Sequence, residues 1–249
     1  MMTPQMLTSP QGREIAYHQT TGAAPGVVFL GGFRSDMTGT KALHLQDWAA
    51  RTGRGFLRFD YSGHGRSGGR FEDGTIGDWL EDALAVLTLT AGPQVLVGSS
   101  MGGWIALLLA RAMPEQIAGL VGIAAAPDFT EDSMWAGFSD GERAEVLGRG
   151  QISVPSEYSE PYVITRRLID EGRLRLVLRT PLNLPFPVRL LQGTADVDVP
   201  QAVALRLLAH ATGPDIRLTL VKGADHRFSS AECLGMVVAA VEDVLRGAG

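Results

Sequence analysis

The chain has 249 residues, 45% of them hydrophobic and 20% charged, a composition typical of one large globular domain or two small ones. Its 27 acidic and 22 basic residues give a formal net charge of −5, and acidic side chains interrupt the densest basic stretch, at 166–179, which argues against a nucleic-acid partner. The single cysteine, Cys233, excludes an internal disulfide, and no run of 18 apolar residues could span a membrane. Residues 1–9 lack the features of a secretory signal, so we expect a cytoplasmic protein.

Apolar strand-like runs and helical stretches alternate along the chain. An antiparallel hairpin is predicted first, with arms at 6–7 and 15–18 around a Pro-Gln-Gly turn. The further predicted strands are 27–30, 55–60, 95–97, 120–123, 188–191 and 216–221, and the predicted helices are 40–51, 78–87, 104–113, 199–211 and 231–246. Strands that are apolar on consecutive residues are typical of a parallel sheet covered on both faces. The pattern predicts an α/β fold with a mostly parallel sheet of roughly eight strands.

One stretch, at 127–187, interrupts this alternation. It has no clear buried strand and a more polar composition, and it is far longer than the usual connection of about 4–6 residues. We expect short helices here that form a small cap over one end of the sheet. The predicted organisation is a core made of 1–126 and 188–249, with the cap inserted at 127–187.

A candidate nucleophile lies in the run VLVGSSMGGW at 95–104. There a G-x-S-x-G motif separates a predicted buried strand from a predicted buried helix, which is the context that exposes a serine on a tight turn. Gly98 and Gly102 would let the strand and helix approach closely around Ser100. The amides at the helix start would favour developing negative charge. The motif predicts Ser100 as a nucleophile, and the alternative is a turn without chemistry.

A serine nucleophile needs a base, and the chain has five histidines. His226 directly follows the predicted strand 216–221, so we expect it at the carboxyl edge of the sheet, where Ser100 also lies. His64, in the run DYSGHGRS, is the alternative base. The remaining histidines, expected to have surface or packing roles, are His18, His44 and His210.

The acid that orients the base should follow a strand between Ser100 and His226. Asp196, in the run LLQGTADVDVP at 190–200, is the preferred candidate, and Asp198 and Asp128 are the alternatives. The order Ser, Asp, His is that of an α/β-hydrolase triad.

Hydrolysis through a serine also needs main-chain donors for an oxyanion. The Met101 amide directly follows the candidate nucleophile, and the Phe33 amide lies in the glycine-rich run GGFRS at 31–35. These two amides are the predicted oxyanion hole. A glycine-rich turn without a catalytic role is the alternative for the second loop.

Taken together, these motifs resemble the α/β-hydrolase superfamily over nearly the whole chain. The matching pieces, in order, are FLGGF at 29–33, RFDYSGHG at 58–65, GSSMGG at 98–103, GTADVDVP at 193–200 and Asp225-His226. The run FRSDMTGTKA at 33–42 is similar to a narrower group, the serine hydrolases related to a mitochondrial palmitoyl-protein thioesterase that also cleaves acyl glucuronides. One departure is Gly31, which stands where many relatives have histidine. The resemblance implies the α/β-hydrolase fold and a small-molecule acyl ester or thioester as substrate.

The expected reaction is acyl transfer to water through a covalent serine ester. No close zinc-ligand spacing and no phosphate-binding loop is present, so we expect neither a metal nor another cofactor. A C–C bond hydrolase or a lipase-like enzyme with the same triad is an alternative, as is a non-catalytic binding protein of this fold. The oligomeric state stays open.

The sequence indicates substrate-binding residues less specifically than it indicates the candidate triad. Arg34, beside the predicted oxyanion loop, could meet a substrate carboxylate or form a structural ion pair. The aromatic residues expected to line an acyl pocket, with a core or surface role as the alternative for each, are Trp135, Phe138, Tyr158 and Tyr162.

Overall fold

The apolar runs form the strands of one eight-stranded sheet. The structure, a computed structural model, describes residues 3–154 and 161–247. The strands are β1 (Gln5–Thr8), β2 (Glu14–Thr20), β3 (Ala23–Leu30), β4 (Arg54–Phe59), β5 (Gln94–Ser99), β6 (Ile117–Ile123), β9 (Val188–Gly193) and β10 (Ile216–Val221), in the spatial order β1-β2-β4-β3-β5-β6-β9-β10. β1 and β2 pair antiparallel, and the other six strands run parallel. This confirms the mostly parallel sheet predicted from the sequence.

Helices cover both faces of this sheet. Their bounds are α1 (Thr40–Thr52), α2 (Ile76–Leu87), α3 (Met101–Ala112), α6 (Gln201–His210) and α7 (Ala231–Gly247). α1 and α7 share one apolar layer with one face of the sheet, and α2 and α3 belong to the layer on the opposite face, where Trp79 and Trp104 are fully buried. Within residues 3–154 and 161–247, no helix is long and apolar enough to cross a membrane.

The centre of the sheet contains a topological switch point. β3 lies between β4 and β5, so the chain leaves β3 towards one side and returns to pair with its other side. Leu30 pairs with Gly98, and both strands therefore end at the same edge. Because the connections that follow β3 and β5 diverge, a crevice opens between them, which is where ligands bind in open α/β sheets.

The segment 127–187 differs from its prediction in one respect. It contains a π-helical turn (Thr130–Trp135), α4 (Asp140–Arg149) and α5 (Arg166–Arg173), and between α4 and α5 lies an antiparallel pair of strands, β7 (Gln151–Val154) and β8 (Tyr162–Thr165). The expectation of short helices alone was therefore wrong. Each strand has only four residues, too few for a distinctive apolar run, and within each strand a single isoleucine, Ile152 or Ile164, is buried.

Candidate active site

Ser100 lies on a sharp turn between β5 and α3. Its backbone has φ +54°, in the left-handed region that a residue with a side chain rarely adopts. A Cβ on Gly98 would collide with the Gly102 carbonyl, and one on Gly102 would collide with the Leu30 carbonyl. Only glycine fits at these two positions, because the strand and the helix approach so closely. The predicted turn thus has the geometry that presents a serine at the crevice.

His226 and Asp196 complete a hydrogen-bonded series with Ser100. The His226 Nε2 atom lies 3.2 Å from the Ser100 Oγ atom, and the His226 Nδ1 atom lies 2.9 Å from Asp196 Oδ2. The three residues come from the ends of β5, β9 and β10, so the parallel sheet brings them to one edge. The sequence predicted that these three side chains lie together. In the structure they lie within hydrogen-bond distance of one another in series.

Asp196 is oriented by its own loop as well as by His226. Its Oδ1 atom accepts the main-chain N–H groups of Asp198 at 3.0 Å and Val199 at 2.8 Å, while Oδ2 also accepts from Gln192 Nε2 at 2.9 Å. Burial alone would raise the pKa of this carboxyl, but the hydrogen bonds from His226, Val199 and Gln192 outweigh burial and lower the pKa below its ordinary value. An ionised, fixed carboxylate therefore faces the imidazole.

The two alternative acids, Asp198 and Asp128, take part in different hydrogen bonds from those of Asp196. Asp198 contributes its amide to Asp196, while the carboxylate that His226 Nδ1 contacts belongs to Asp196. Asp128 is fully buried, and its carboxylate accepts the N–H groups of Val177 at 2.8 Å and Leu178 at 3.0 Å and binds Arg179 at 2.7 Å. Its hydrogen bonds thus tie segment 127–187 together.

The alternative base, His64, has both ring nitrogens occupied by main-chain groups. Its Nε2 atom lies 3.2 Å from the Arg34 N–H nitrogen, and its Nδ1 atom lies 3.1 Å from the Ser62 carbonyl oxygen. Burial lowers the pKa of this imidazole to about 4. His18, His44 and His210 lie on β2, α1 and α6, as expected from the sequence.

The loop after β3 passes directly beside the serine. A Cβ placed on Gly32 would lie 3.4 Å from the Ser100 Cβ atom, and the Ser35 N–H donates to the Gly32 carbonyl at 3.1 Å to close a turn. Among the residues that the structure describes, the Phe33 N–H has no acceptor. Met101 is the first residue of α3, so its amide has no partner within the helix. Two main-chain donors are thus available on the two loops that flank Ser100.

Comparison with known proteins assigns the family. The model described as serine aminopeptidase, S33 (Hydrolase_4) matches residues 25–166, more than half of the chain. The chain belongs to this family of α/β-hydrolases. The human protein named palmitoyl-protein thioesterase ABHD10, mitochondrial, is 35% identical over 242 residues, which cover 96% of this chain and 79% of that protein.

Two solved structures are similar to this chain over almost its whole length. A putative hydrolase from Agrobacterium vitis S4 is 46% identical, superimposes with a TM-score of 0.93 and covers 97% of this chain and 98% of that chain. The α/β hydrolase domain-containing protein 10 from mouse is 32% identical, with a TM-score of 0.91 and coverage of 98% of this chain and 99% of that one. The α/β-hydrolase fold expected from the motifs is therefore confirmed.

This α/β-hydrolase has a cavity of about 630 Å³ at the carboxyl edge of the sheet, and it contains Ser100 and His226. Its other lining residues include Phe33, Arg34, Lys41, Phe129, Met134 and Tyr162. The Arg34 guanidinium lies 5.1 Å from the ring centres of both Phe71 and Tyr162 and forms no ion pair with the described residues. Of the two alternatives for Arg34, the structure therefore does not show the structural ion pair.

Two of the aromatic residues expected in the pocket lie elsewhere. Trp135 packs against the guanidinium of Arg173 at 4.7 Å and contacts the Phe138 ring at 6.2 Å, and neither Trp135 nor Phe138 lines the cavity. Trp135 packs against Arg143 and Arg173 of segment 127–187, and Phe138 packs against Trp135. Tyr162 does line the cavity, and Tyr158 lies outside the described residues.

Lys41, at the start of α1, connects the cavity wall to the loop that carries His226. Its Nζ atom donates to the main-chain carbonyl of Arg227, the residue after His226. Burial lowers the pKa of Lys41 to about 8, and Arg227 acts in the same direction while Asp225 opposes it. The contact ties α1 to the loop 225–228.

The described residues contain one group with the spacing of metal ligands, Asp196, Asp198 and His226, whose ligand atoms lie within 4.8 Å of one another. Both oxygens of Asp196 and the Nδ1 atom of His226 already take part in the hydrogen bonds above. A metal would have to displace those bonds, so this group fits an oriented imidazole better than an ion.

Proposed function

We propose that this chain is a serine hydrolase that cleaves carboxylic esters and thioesters through an acyl-enzyme intermediate. The observation that carries the proposal is the series of contacts from Ser100 Oγ to His226 Nε2 and from His226 Nδ1 to Asp196. A nucleophile, a base within reach and an acid that orients the base are the three parts that serine catalysis requires. Membership of a hydrolase family supports this reading independently.

In the first half-reaction, Ser100 Oγ attacks the acyl carbon while His226 Nε2 takes the hydroxyl proton. The carbonyl π electrons move to oxygen, and the Met101 and Phe33 amides donate to that oxyanion. When the tetrahedral intermediate collapses, the bond to the alcohol or thiol breaks, and His226 returns its proton to the leaving group. The product is an ester of Ser100.

In the second half-reaction, water attacks the Ser100 ester. His226 takes a proton from this water, a second tetrahedral intermediate forms, and Ser100 leaves with that proton, which releases the carboxylic acid. Asp196 stays ionised throughout, because its bonds from Val199, Gln192 and His226 favour the charged form. Its role is to hold the Nδ1–H tautomer of His226 and to stabilise the imidazolium.

The proposed substrate follows from the cavity and from the relatives. Phe129 and Met134 give one wall of the cavity an apolar surface suited to an acyl chain, while Arg34 and Tyr162 lie on the wall beside the oxyanion loop. Relatives from rat and human are named palmitoyl-protein thioesterases, which supports an acyl thioester as well as an oxygen ester. We further propose that segment 127–187 is the cap that shapes this acyl site. The cytoplasmic location stays a prediction, and the relatives' names say mitochondrial.

A fluorophosphonate probe tests the nucleophile. We expect the probe to label the wild-type protein on Ser100 and to stop hydrolysis of a p-nitrophenyl ester. Ser100→Ala should lose both labelling and hydrolysis, whereas Ser99→Ala, a change at the neighbouring serine, should keep the label. A folded wild-type protein that neither reacts with the probe nor cleaves any ester or thioester across a series of acyl lengths would instead be a binding protein.

A further inference from the structure

His64 binds main chain through both ring nitrogens, which determines its protonation. The Arg34 N–H can only donate, so Nε2, 3.2 Å away, must carry the lone pair. The Ser62 carbonyl can only accept, so Nδ1, 3.1 Å away, must carry the proton. His64 is therefore a neutral imidazole in a single tautomer, and its only basic nitrogen is already used. His64 therefore has no free nitrogen with which to act as a general base.

The surroundings of the ring maintain this state. His64 is 4% exposed, and its ring centre lies 5.7, 5.2 and 5.1 Å from those of Tyr61, Phe71 and Trp79, each in an edge-to-face arrangement. Burial among these rings disfavours the imidazolium, and the nearby charge of Arg34 adds to that effect. An imidazole so enclosed can rotate little, so its Nε2 atom is a fixed acceptor.

The buried carboxylate of Asp82 holds His64 in place indirectly, through Ser62. The Ser62 N–H and hydroxyl donate to Asp82 on α2 at 2.8 and 2.6 Å, and Asp82 also receives Arg13 Nε at 2.6 Å. Trp79 Nε1 donates to the same Ser62 carbonyl that His64 uses, at 3.1 Å. A continuous series of hydrogen bonds thus runs from the rigid helix α2 through Ser62 to His64 and ends at the Arg34 amide.

The residue at the end of that series has a strained backbone. Arg34 has φ +54° and is the third residue of the turn closed by the Ser35 to Gly32 bond, a position where glycine or asparagine is favoured. For other residues the left-handed conformation is strained, because the Cβ atom comes too close to the following carbonyl oxygen. The Arg34 N–H belongs to the peptide next to the Phe33 N–H, so a change at Arg34 would disturb the amide that the proposed mechanism uses.

We propose that His64 is a positioning residue that holds the turn at 31–35 so that the Phe33 amide faces Ser100. The proposal rests on the proposed function, because Phe33 matters here only as an oxyanion donor. His64 touches neither the substrate nor the reacting atoms. It acts through the Arg34 N–H, and the hydrogen bond compensates for the strained conformation that the turn requires.

The test compares His64→Phe with Tyr61→Phe. Phenylalanine keeps a ring in the aromatic pocket but lacks the acceptor, so we expect kcat for a p-nitrophenyl ester to fall about 10- to 100-fold, with KM changed less than about threefold. The affinity of a boronic acid that forms a tetrahedral Ser100 adduct should fall in parallel. Tyr61→Phe removes a hydroxyl that has no hydrogen-bond partner among the described residues, so kcat should stay within about twofold.

His64→Gln separates positioning from packing. Its side-chain oxygen can accept the Arg34 N–H, so we expect it to recover most of the kcat lost in His64→Phe. A folded His64→Phe protein with wild-type kcat, or a His64→Gln protein that is as slow as His64→Phe, would contradict the proposal. Ester hydrolysis by the wild type, absent in Ser100→Ala, shows separately that the proposed function holds.

A measurement on the wild type keeps the proposal testable even if the variants fail to fold. In a ¹⁵N-histidine spectrum, His64 should be neutral with the proton on Nδ1 at pH 7. The Nε2–H tautomer, or an imidazolium, would leave no acceptor for the Arg34 N–H and would overturn the proposal.

Discussion

The turns around Ser100 and the segment 127–187 are held by different forces. Around Ser100, backbone touches backbone at Gly98 and Gly102, and buried hydrogen bonds fix Asp196. Segment 127–187 also has buried anchors, such as Asp128, but at its surface it adds half-exposed ion pairs, such as Arg173 with Glu131 at 2.7 Å and Arg206 of α6 with Asp132 at 2.7 Å. Exposed pairs of this kind contribute about 0.2–1 kcal/mol each. The turns around Ser100 leave no room for an added side-chain atom, whereas part of segment 127–187 is joined by contacts that water can reach.

The largest expected effect comes from a carboxylate on the constrained side. Asp196→Asn should lower kcat by about 10⁴-fold, because the amide can donate to His226 and favour the wrong tautomer. Asp132→Asn, the same change in segment 127–187, should leave kcat within about twofold. Rates on a p-nitrophenyl ester measure both. A normal rate in Asp196→Asn together with a lost rate in Asp198→Asn or Asp128→Asn would show that the acid has been misassigned.

The second prediction concerns pH. Burial lowers the pKa of His64 from 6.5 to about 4, so between these values the unfolded chain binds a proton that the folded chain does not. Folding stability from this residue is complete above pH 6.5 and is lost as the pH falls towards 4, by about 3 kcal/mol in total. Asp132 contributes little to this window, because its arginine partners lower its pKa below 3.8 against the effect of burial.

Urea unfolding at pH 7, 5.5 and 4 measures this loss. His64→Gln cannot titrate, so its free energy of unfolding should fall less steeply than that of the wild type over the same range. Other groups titrate in both proteins, and the difference between the two curves isolates His64. Identical slopes would mean that His64 accepts a proton as easily in the folded chain as in the unfolded one.

Replacement of glycine by alanine should change the free energy of unfolding in opposite directions in the two regions. Gly102→Ala would push a Cβ into the main-chain carbonyl of Leu30, which cannot move without shifting β3, so we expect a loss of about 1–3 kcal/mol or more in unfolding free energy. Gly148→Ala in α4 meets no atom within 4 Å and should gain about 0.5–1 kcal/mol through the higher helix propensity of alanine. Chemical denaturation of both variants gives the comparison, and effects of equal sign would contradict it.

The sequence predicted the sheet well because its strands are short, continuous apolar runs with clear boundaries. Helix starts were less accurate: α3 begins at Met101 rather than at 104, and α2 begins at Ile76 rather than at 78. At Met101 the two glycines that follow obscured the helix, although close packing with β3 stabilises it there. The pair β7 and β8 was missed because four-residue strands with partly exposed faces carry almost no periodic signal.

The contacts among Ser100, Asp196 and His226 were predictable because each residue follows a strand, so that the sheet itself places the three side chains at one edge. The hydrogen bonds that support the surrounding loops could not be predicted in this way. The series from Asp82 through Ser62 to His64 joins two elements by packing, and sequence alone does not reveal such contacts. His64 was considered as a base since its residue type suits that role, whereas its burial and both of its partners become visible only in the fold.

The smallest expected effect distinguishes two aromatic residues within segment 127–187 itself. Tyr162 lines the cavity, where its ring faces the Arg34 guanidinium at 5.1 Å and the Phe33 ring at 6.1 Å. Removal of a ring contact of this kind costs about 0.5–1.5 kcal/mol, so Tyr162→Ala should raise KM for aryl esters about 3- to 10-fold, with a smaller change in kcat.

Trp135→Phe is the matched control for that variant. Trp135 packs on Arg173 outside the cavity, and phenylalanine keeps an aromatic face for the guanidinium, so KM should match the wild type while the melting temperature falls slightly. Steady-state kinetics over a series of acyl lengths would measure both variants. If Trp135→Phe raised KM as much as Tyr162→Ala, the acyl site would have to extend beneath the arginines of segment 127–187. Because those arginines are tied by exposed ion pairs, such an extension would require the segment to move when substrate binds.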